Sequence, residues 1–384
     1  MTLKYVDKGA RRYVVGKVKQ FDQKNEMFCR PLWEKEQLDL GKQFYMTEVP
    51  PRDKAGYRLK DQAMVNAAWH LENTFAQGVA GGRMGMYAWE WEQIFEFPLV
   101  PSGLTLDIDD PLAATSDIKK AATFLGASMV GVCKLDRDWV YSTSFPLRDQ
   151  KTVPNELPEA YQFAIALAVE MDYKAIRCSP SGPASVATGL GYSKMAFIAG
   201  LLAHHIRGLG YQAIACGNDT ACSIPIAIDA GLGELARNGL LITPEFGPRV
   251  RLAKVITDMP LIPDRPIEFG VWDFCLKCEK CADKCPSKSI PYGKPTDKPN
   301  NISNRQGLLR WPINAETCLA FWAKNGTDCA NCIRSCPFNK PTGRLHDMVR
   351  WGISNAAWLN TLFLWGDELF GYGRKRNPDS FWVE

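Results

Sequence analysis

The chain has 384 residues, of which 46% are hydrophobic and 23% are charged, and its formal net charge is +4. This length allows two or three domains of about 100–200 residues each, and the composition excludes a disordered or collagen-like protein. So small a charge excess does not indicate a nucleic-acid-binding protein. The longest apolar stretch, 195–203, is far shorter than the roughly 20 residues of a membrane span.

The hydrophobic patterns divide the chain into four parts. Residues 1–95 are rich in aromatic side chains and have few regular patterns, which predicts a covering segment with short helices such as 63–75. Residues 96–268 predict strands at 129–133, 163–169 and 211–216 and a long helix at 184–207. Two more strands, 239–243 and 250–257, are predicted to be joined by a proline-rich turn. These interleaved elements predict an α/β or α+β domain.

The last two parts are a cysteine-rich module, 269–342, and a tail, 343–384. In the tail, Trp351, Trp358 and Trp365 are seven residues apart. This spacing places them on one face of a helix, and we expect that face to be packed rather than exposed.

Cysteine is the most informative residue type in the chain. Eight of the 13 cysteines lie between 275 and 336. A disulfide framework favours an even, dispersed set, so this clustering indicates metal binding instead. The run C-x2-C-x2-C-x3-C-P at 275–286 is typical of bacterial ferredoxins. A second run, C-x2-C-x3-C-P at 329–337, lacks one ligand, which Cys318 can supply.

In such a pair of runs, three thiolates bind one cubane and the fourth, which precedes a proline, binds the other. This crossover predicts one [4Fe–4S] cluster on Cys275, Cys278, Cys281 and Cys336, and a second on Cys285, Cys318, Cys329 and Cys332. A structural zinc site is the alternative, but zinc does not require the doubled run. Clusters carry single electrons, so the rest of the chain must hold the group that receives them.

The segment 231–236 matches the dinucleotide-binding pattern G-x-G-x-x-A. The preceding residues contain Pro225 and predict a helix rather than a central strand, and Asn238-Gly239 interrupts the helix that should come after the glycines. Gly231 and Gly233 therefore suit the close approach of another large flat ligand better than a nicotinamide cofactor.

Several segments together resemble the corrinoid-dependent reductive dehalogenases of organohalide respiration. They are GYSK at 191–194, CGNDT at 216–220, AGLGELARNG at 230–239, LITPEFGPRVR at 241–251 and the two cysteine runs. The resemblance covers about 185–342. It implies an α+β protein with a nitroreductase-like cobamide-binding core and a ferredoxin-like two-cluster module. The four histidines lie outside any Asp-x-His-x-x-Gly pattern, in agreement with the base-off cobamide of this family.

The resemblance also implies roles for individual residues. Tyr192 would donate the proton, Arg251 would favour the phenolate that remains, and Asn218 would anchor the tyrosine or the substrate. Cobamide contacts are expected at Thr188, Thr220, Ser223, Gly231, Gly233, Asn238, Gly239, Leu240 and Thr243. Among the aromatic residues that could wall an apolar pocket, we select Trp89 and Trp311.

The predicted reaction is the reductive removal of halide from a small organohalide, with a chlorinated aliphatic as the expected class. Two alternatives stay open: an epoxyqueuosine reductase-like enzyme of tRNA modification, and an electron-transfer protein without a corrinoid. The resemblance implies twin-arginine export to the outer face of the cytoplasmic membrane, a small membrane-anchor protein, a membrane electron donor and a homodimer. Arg11 and Arg12 are not followed by an apolar run, which predicts a mature or trimmed form.

Overall fold

The computed structural model describes residues 2–77, 103–145, 150–341 and 343–383. Most of the strands are short, and three of them are long enough to build a core. The strands of the described residues are β1 (Lys4–Tyr5), β2 (Met129–Lys134), β3 (Thr143–Ser144), β4 (Val153–Pro154), β5 (Phe163–Glu170), β6 (Ala213–Cys216), β7 (Glu234–Leu235), β8 (Leu241–Ile242), β9 (Val250–Thr257) and β10 (Ile267–Glu268).

The helices range from single turns to one of 27 residues. In the described residues they are α1 (Leu38–Gly41), α2 (Leu59–Gln77), α3 (Pro111–Phe124), α4 (Tyr173–Ile176), α5 (Gly182–Gly208), α6 (Ser223–Asp229), α7 (Val271–Lys277), α8 (Lys280–Asp283), α9 (Ala315–Asn325), α10 (Asn331–Arg334), α11 (Arg344–Asn355) and α12 (Asn360–Leu369).

The central sheet has four antiparallel strands in the order β2-β5-β9-β6. Strand β9 lies between β5 and β6, so that Val255 pairs with Ile165 on one side and with Ala215 on the other. Strands β5 and β9 are nearly continuous runs of buried residues, as expected for strands covered on both faces.

Each face of the sheet carries its own hydrophobic core. On one face, α5 and α3 pack through residues such as Leu202, Ile206 and Ile118. On the other, α6 and the N-terminal residues pack through Trp139, Ile226 and neighbouring side chains. Helix α2 lies along α5. The arrangement is a layered α+β core, which places the first half of α5 and the loop after β6 next to each other.

Helix α5 is long and apolar enough, by length and composition, to cross a membrane. Most of it is buried within the protein, where it contacts three strands of the sheet. Its beginning is set by Pro183 in the first turn, whose missing N–H has no partner to lose there.

The predicted strands and long helix are present within one to two residues of their expected bounds. The proline-rich turn joins β8 to β9, and the two strands have different partners. Strand β8 pairs with β7, while β9 joins the central sheet. Because both edges of β9 are occupied by β5 and β6, the proline-rich turn redirects the chain between two sheets.

The prediction for the tail tryptophans is wrong. Helix α11 ends at Asn355, Trp358 lies in a following 3-10 turn, and Trp365 belongs to α12. Trp351, Trp358 and Trp365 are 54%, 78% and 61% exposed. The seven-residue spacing therefore does not describe one helical face, because the helix is broken between the first and second tryptophan.

Candidate active site and cysteine module

Tyr192, Asn218 and Arg251 are brought together by three different elements. Tyr192 lies in the first half of α5, Asn218 follows β6, and Arg251 is the second residue of β9. Because β6 and β9 are antiparallel neighbours, the last residue of β6 and the first residues of β9 lie toward the same end of the sheet. Helix α5 packs against both strands and presents Tyr192 at that end.

The hydroxyl of Tyr192 accepts a hydrogen bond and keeps its own proton available for donation. The side-chain amide of Asn218 donates to the Tyr192 hydroxyl oxygen at 2.8 Å. Because a phenol has one O–H and an oxygen that can accept, this contact occupies the acceptor and leaves the O–H free. Tyr192 is half-buried and Asn218 is exposed, so the hydroxyl is accessible to a ligand.

The guanidinium of Arg251 lies over the Tyr192 ring, 5.1 Å from its centre. Its Nη2 donates to the Thr188 hydroxyl at 3.1 Å, one helical turn before the tyrosine. A cation in this position stabilises a phenolate once the tyrosine proton has left. Gly191 allows the approach, because a Cβ atom there would lie 2.8 Å from the Arg251 side chain.

The loop that presents Asn218 is held from beneath by buried polar groups. The Asp219 carboxylate accepts from the Gly217 N–H at 2.7 Å, and the fully buried Lys254 ammonium donates to the Gly217 carbonyl. Thr220 has a positive φ of 65°, a conformation that non-glycine residues adopt rarely. The loop is therefore fixed by interactions that leave the Asn218 side chain outside.

Two residues at this site were missed from the sequence. Trp69 of α2 stacks on Tyr192 with ring centres 5.0 Å apart and an interplanar angle of 23°. The only local sign of it is Gly189 inside a helix, where a Cβ atom would lie 2.4 Å from the indole. The second is Asp328, whose pKa is raised by burial, while contacts with Ser185, Arg251 and Thr188 oppose that rise.

The cysteines form two groups in space. Cys275, Cys278, Cys281 and Cys336 line one small cavity together with Asn238 and Phe338. Burial raises the pKa of the Cys281 thiol, and the other three thiols raise it further. This grouping is the one that the crossover requires for a first cluster, and four converging thiols are the donor set of a [4Fe–4S] cubane.

The remaining four cysteines converge in the same way. Burial raises the pKa of Cys332, and the thiols of Cys329, Cys318 and Cys285 add to the effect. Both halves of the module contribute to each group. Cys336 of the second run lies with the first three cysteines, and Cys285 of the first run lies with the other group. The residues fit two clusters, and the assignment of individual ligands stays a prediction.

A protein-family model described as a 4Fe-4S double cluster binding domain matches residues 274–339, which contain all eight cysteines. The chain is 36% identical over 367 residues to the tetrachloroethene reductive dehalogenase of Sulfurospirillum multivorans, covering 87% of this chain and 73% of that protein. It is 34% identical to a protein of the same name from Desulfitobacterium hafniense, covering 85% and 70%. The chain belongs to the reductive dehalogenase family.

Among solved structures of this family, the catabolic reductive dehalogenase NpRdhA superposes with a TM-score of 0.72 at 22% identity. The match covers 97% of this chain and 49% of NpRdhA, so the chain spans about half the length of that relative. The predicted α+β fold, the family and the two-cluster module are thereby confirmed. The family's members are oxidoreductases.

Several residues that the family resemblance assigned to the cobamide have other surroundings here. A Cβ atom at Gly231 would lie 2.6 Å from the Arg265 carbonyl, and one at Gly233 would lie 2.0 Å from the Ile242 carbonyl. The chain's own backbone therefore excludes a side chain at both glycines, and their contact with a large flat ligand stays a prediction. The Thr243 hydroxyl lies buried within its own turn, where it donates to the Gly247 carbonyl at 3.1 Å.

The other expected cobamide contacts lie at two places. The side chains of Thr220 and Ser223 bond within the Asn218 loop, to Asp219 and to the Gly217 carbonyl. Asn238 lines the first thiol cavity, Leu240 packs near Cys332, and Gly239 has a positive φ of 73°. These residues connect the core to the module, and their contact with a cobamide stays a prediction.

The two tryptophans chosen for the substrate pocket do not support that choice. Trp89 lies outside the described residues. Trp311 is only 1% exposed and packs on Trp272 at 4.7 Å, with its indole N–H donating to the Gly293 carbonyl at 2.9 Å. It belongs to the hydrophobic core beside the first thiol group, so its assignment to an open pocket is corrected.

Arg237 is a third residue that the sequence did not reveal. It is completely buried, and it donates to the carbonyls of Cys278, Cys275 and Pro291 at 2.8 to 2.9 Å. One core residue thus holds the backbone of the first cysteine run. Hydrogen bonds from a charged group contribute more than neutral ones, so Arg237 fixes the shape of this loop.

Proposed function

We propose that the chain is a reductive dehalogenase that removes halide from a small chlorinated aliphatic compound, with Tyr192 as proton donor. The observation that carries the proposal is the contact of Tyr192 with Asn218 and Arg251 at one end of the central sheet. Relatives named tetrachloroethene reductive dehalogenase, 34–37% identical to this chain, support the substrate class. The overall change is R–X plus two electrons and a proton to R–H and halide.

A corrinoid and two [4Fe–4S] clusters are the cofactors of this family. When bound, the corrinoid supplies electrons to the carbon–halogen bond. A base-off form is supported by the sequence, because none of the four histidines lies in an Asp-x-His-x-x-Gly pattern. Of the four, His346 bonds to the Tyr372 hydroxyl at 2.9 Å.

The chain's own residues divide the remaining work. The Tyr192 O–H is free to face the carbon that loses halide, since Asn218 occupies the phenol oxygen as a donor. As the proton leaves, negative charge develops on that oxygen, and the Arg251 cation is already in place to stabilise it. Trp69 covers one ring face and keeps the phenol in a fixed orientation.

The test is halide release by the anaerobically purified holoprotein with an artificial reductant. We expect chloride and a less chlorinated ethene from tetrachloroethene, in equal amounts, and none when the corrinoid is omitted. A chlorinated phenol tests the aromatic alternative. Release from the phenol but not from the ethene would overturn the substrate class, and release from neither would overturn the function.

We also propose that the protein works at the outer face of the cytoplasmic membrane after twin-arginine export, with a small membrane-anchor protein, a membrane electron donor and a second copy as partners. The exposed Trp351, Trp358 and Trp365 support a partner or lipid contact at the tail, because large exposed apolar patches mark such surfaces. Helices α11 and α12 pack on α7, which carries Cys275. A partner docked on the tail would thus lie close to the first thiol group. Fractionation of cells that express the full-length protein tests the location.

A further inference from the structure

A buried group of charged side chains joins the cysteine module to the tail. The Lys280 ammonium pairs with one oxygen of the Asp367 carboxylate, and the Lys340 ammonium pairs with the other. Lys280 lies in α8 and Asp367 in α12, while Lys340 follows the second cysteine run. One carboxylate from the tail therefore binds two lysines of the module.

The three side chains of this network are withdrawn from solvent. Lys280, Lys340 and Asp367 are 6%, 8% and 8% exposed. Glu368 also lies 3.2 Å from the Lys280 ammonium, but its side chain is 63% exposed. Burying a charge costs free energy unless the charge is paired, and these contacts supply the partners. Water and salt screen buried charges much less than surface charges, so the field of the network reaches its surroundings.

The two lysines adjoin the first thiol group. Lys280 immediately precedes Cys281, and Lys340 follows Cys336 by four residues. The chain between Cys336 and Lys340 stays close, because the Lys340 N–H donates to the Phe338 carbonyl at 3.0 Å. Phe338 itself lines the cavity that the four thiols share. Two buried cations and one buried anion thus flank the residues predicted to hold the first cluster.

Further contacts keep the network in place. The Lys340 ammonium lies over the Tyr372 ring, 4.1 Å from its centre, and the Tyr372 hydroxyl bonds to His346 at 2.9 Å. The Tyr372 N–H donates to the Asp367 carbonyl at 3.0 Å. The charges cannot leave the thiol group without breaking these contacts.

We propose that Lys280, Lys340 and Asp367 set the reduction potential of the first cluster. Reduction adds one negative charge to a cluster, and the charge around the cluster helps to fix its potential. The two lysines favour the reduced cluster and raise the potential, whereas Asp367 opposes them and lowers it. The proposal rests on the predicted ligands of the first cluster, and it gives the tail a part in electron transfer.

The test is the reduction potential of each cluster in the anaerobically purified holoprotein, measured at one pH by stepwise reduction and EPR. The signal lost in Cys281→Ser identifies the first cluster. Asp367→Asn should raise its potential and Lys340→Gln should lower it, each by about tenfold in the reduction equilibrium, or about 59 mV for one electron. The double variant should return close to the parent value, because the net charge of the network is restored.

Lys280→Gln and Lys277→Gln form a matched pair. Lys277 immediately precedes Cys278, as Lys280 precedes Cys281, but its side chain is exposed. Lys280→Gln should lower the potential of the first cluster. Lys277→Gln should change it much less, because solvent screens an exposed charge.

Opposite signs separate an effect of charge from a change of packing. Shifts of the same sign in Asp367→Asn and Lys340→Gln would refute the proposal, and so would an equal shift of the second cluster or a shift that persists in the double variant. If Asp367→Asn loses iron, the two single-lysine variants still test the proposal, because each keeps one lysine paired with Asp367. Unchanged potentials in both of them would overturn it.

Discussion

In the cysteine module, the reactive side chains lie on two short runs, whereas in the core they come from a helix, a loop and a strand. Cys275, Cys278 and Cys281 are three residues apart, and one tight backbone turn brings their thiols together. Tyr192 and Arg251 are separated along the chain by β6, α6, β7 and β8, and they meet only because β9 lies beside β6 and against α5. The comparison shows two ways to build a site, one by local spacing and one by packing.

The two regions are also joined in both directions. Arg237, from the core, holds the carbonyls of the first cysteine run, and Asn331, from the module, accepts from the Ser179 hydroxyl just before the helix of Tyr192. A disturbance in one region can therefore be transmitted to the other. Variants that damage only one region are the sharpest way to test how separate they are.

The largest effect is expected within the module. Changing Cys281 to Ser should abolish the EPR signal of one cluster, and changing Cys285 to Ser should abolish that of the other, although both belong to one run. The physical reason is that their thiols lie in different spatial groups. Stepwise reduction followed by EPR is the measurement. Loss of the same signal in both variants would refute the crossover, and a Cys133→Ser variant, outside both groups, is the control.

A smaller effect, on the free energy of unfolding, is expected for buried residues that contact the Asn218 loop. Tyr141 donates to Glu26 at 2.5 Å, and the Tyr141 N–H donates to the Thr220 carbonyl of the Asn218 loop. Burial raises the pKa of Glu26 to about 7, against which the Tyr141 hydrogen bond acts. The pKa of Glu26 is thus higher in the folded protein than in the unfolded chain. The protonated Glu26 carboxyl therefore stabilises the fold fully below the unfolded pKa, and this stabilisation is lost as pH rises through about 7.

Relative to Glu26→Gln, the free energy of unfolding of the parent protein should therefore fall by about 3 kcal/mol at most as pH rises from 4.5 to 8. Denaturant unfolding at several pH values measures this. The exposed Glu36→Gln is the control and should retain the dependence. Equal pH dependence in Glu26→Gln and the parent would show that Glu26 is not buried as a neutral acid.

The smallest effect is expected at Asn218. Asn218→Ala removes one neutral hydrogen bond to the phenol of Tyr192, so the rate of halide release should fall by about 3- to 10-fold. Cluster and corrinoid contents should be unchanged, because the loop is held by Lys254 and Asp219 rather than by Asn218. Asn355→Ala, an exposed asparagine on α11, should have no effect. A loss of bound cofactor in Asn218→Ala would assign this residue to cofactor binding instead.

The same comparison explains how much could be predicted from the sequence. The thiol groups follow from spacing alone, because a cubane fixes how far apart its ligands can be. The long strands and α5 follow from continuous apolar runs. The contacts of Trp69 and Asp328 could not be found, since they depend on how α2 and the module pack against α5. Nor could the sequence show that the space left by a missing side chain at Gly231 and Gly233 is taken by the protein's own backbone.

The most direct test of the proposed proton delivery is Tyr192→Phe, with Tyr211→Phe as its control. Both changes remove only a hydroxyl, and the Tyr211 hydroxyl donates to the Leu106 carbonyl away from the site. If Tyr192 delivers the proton, Tyr192→Phe should keep full iron and cobalt contents and lose halide release by about 10²–10⁴-fold, while Tyr211→Phe stays near the parent rate. A Tyr192→Phe protein with intact cofactors and a near-normal rate would contradict this role.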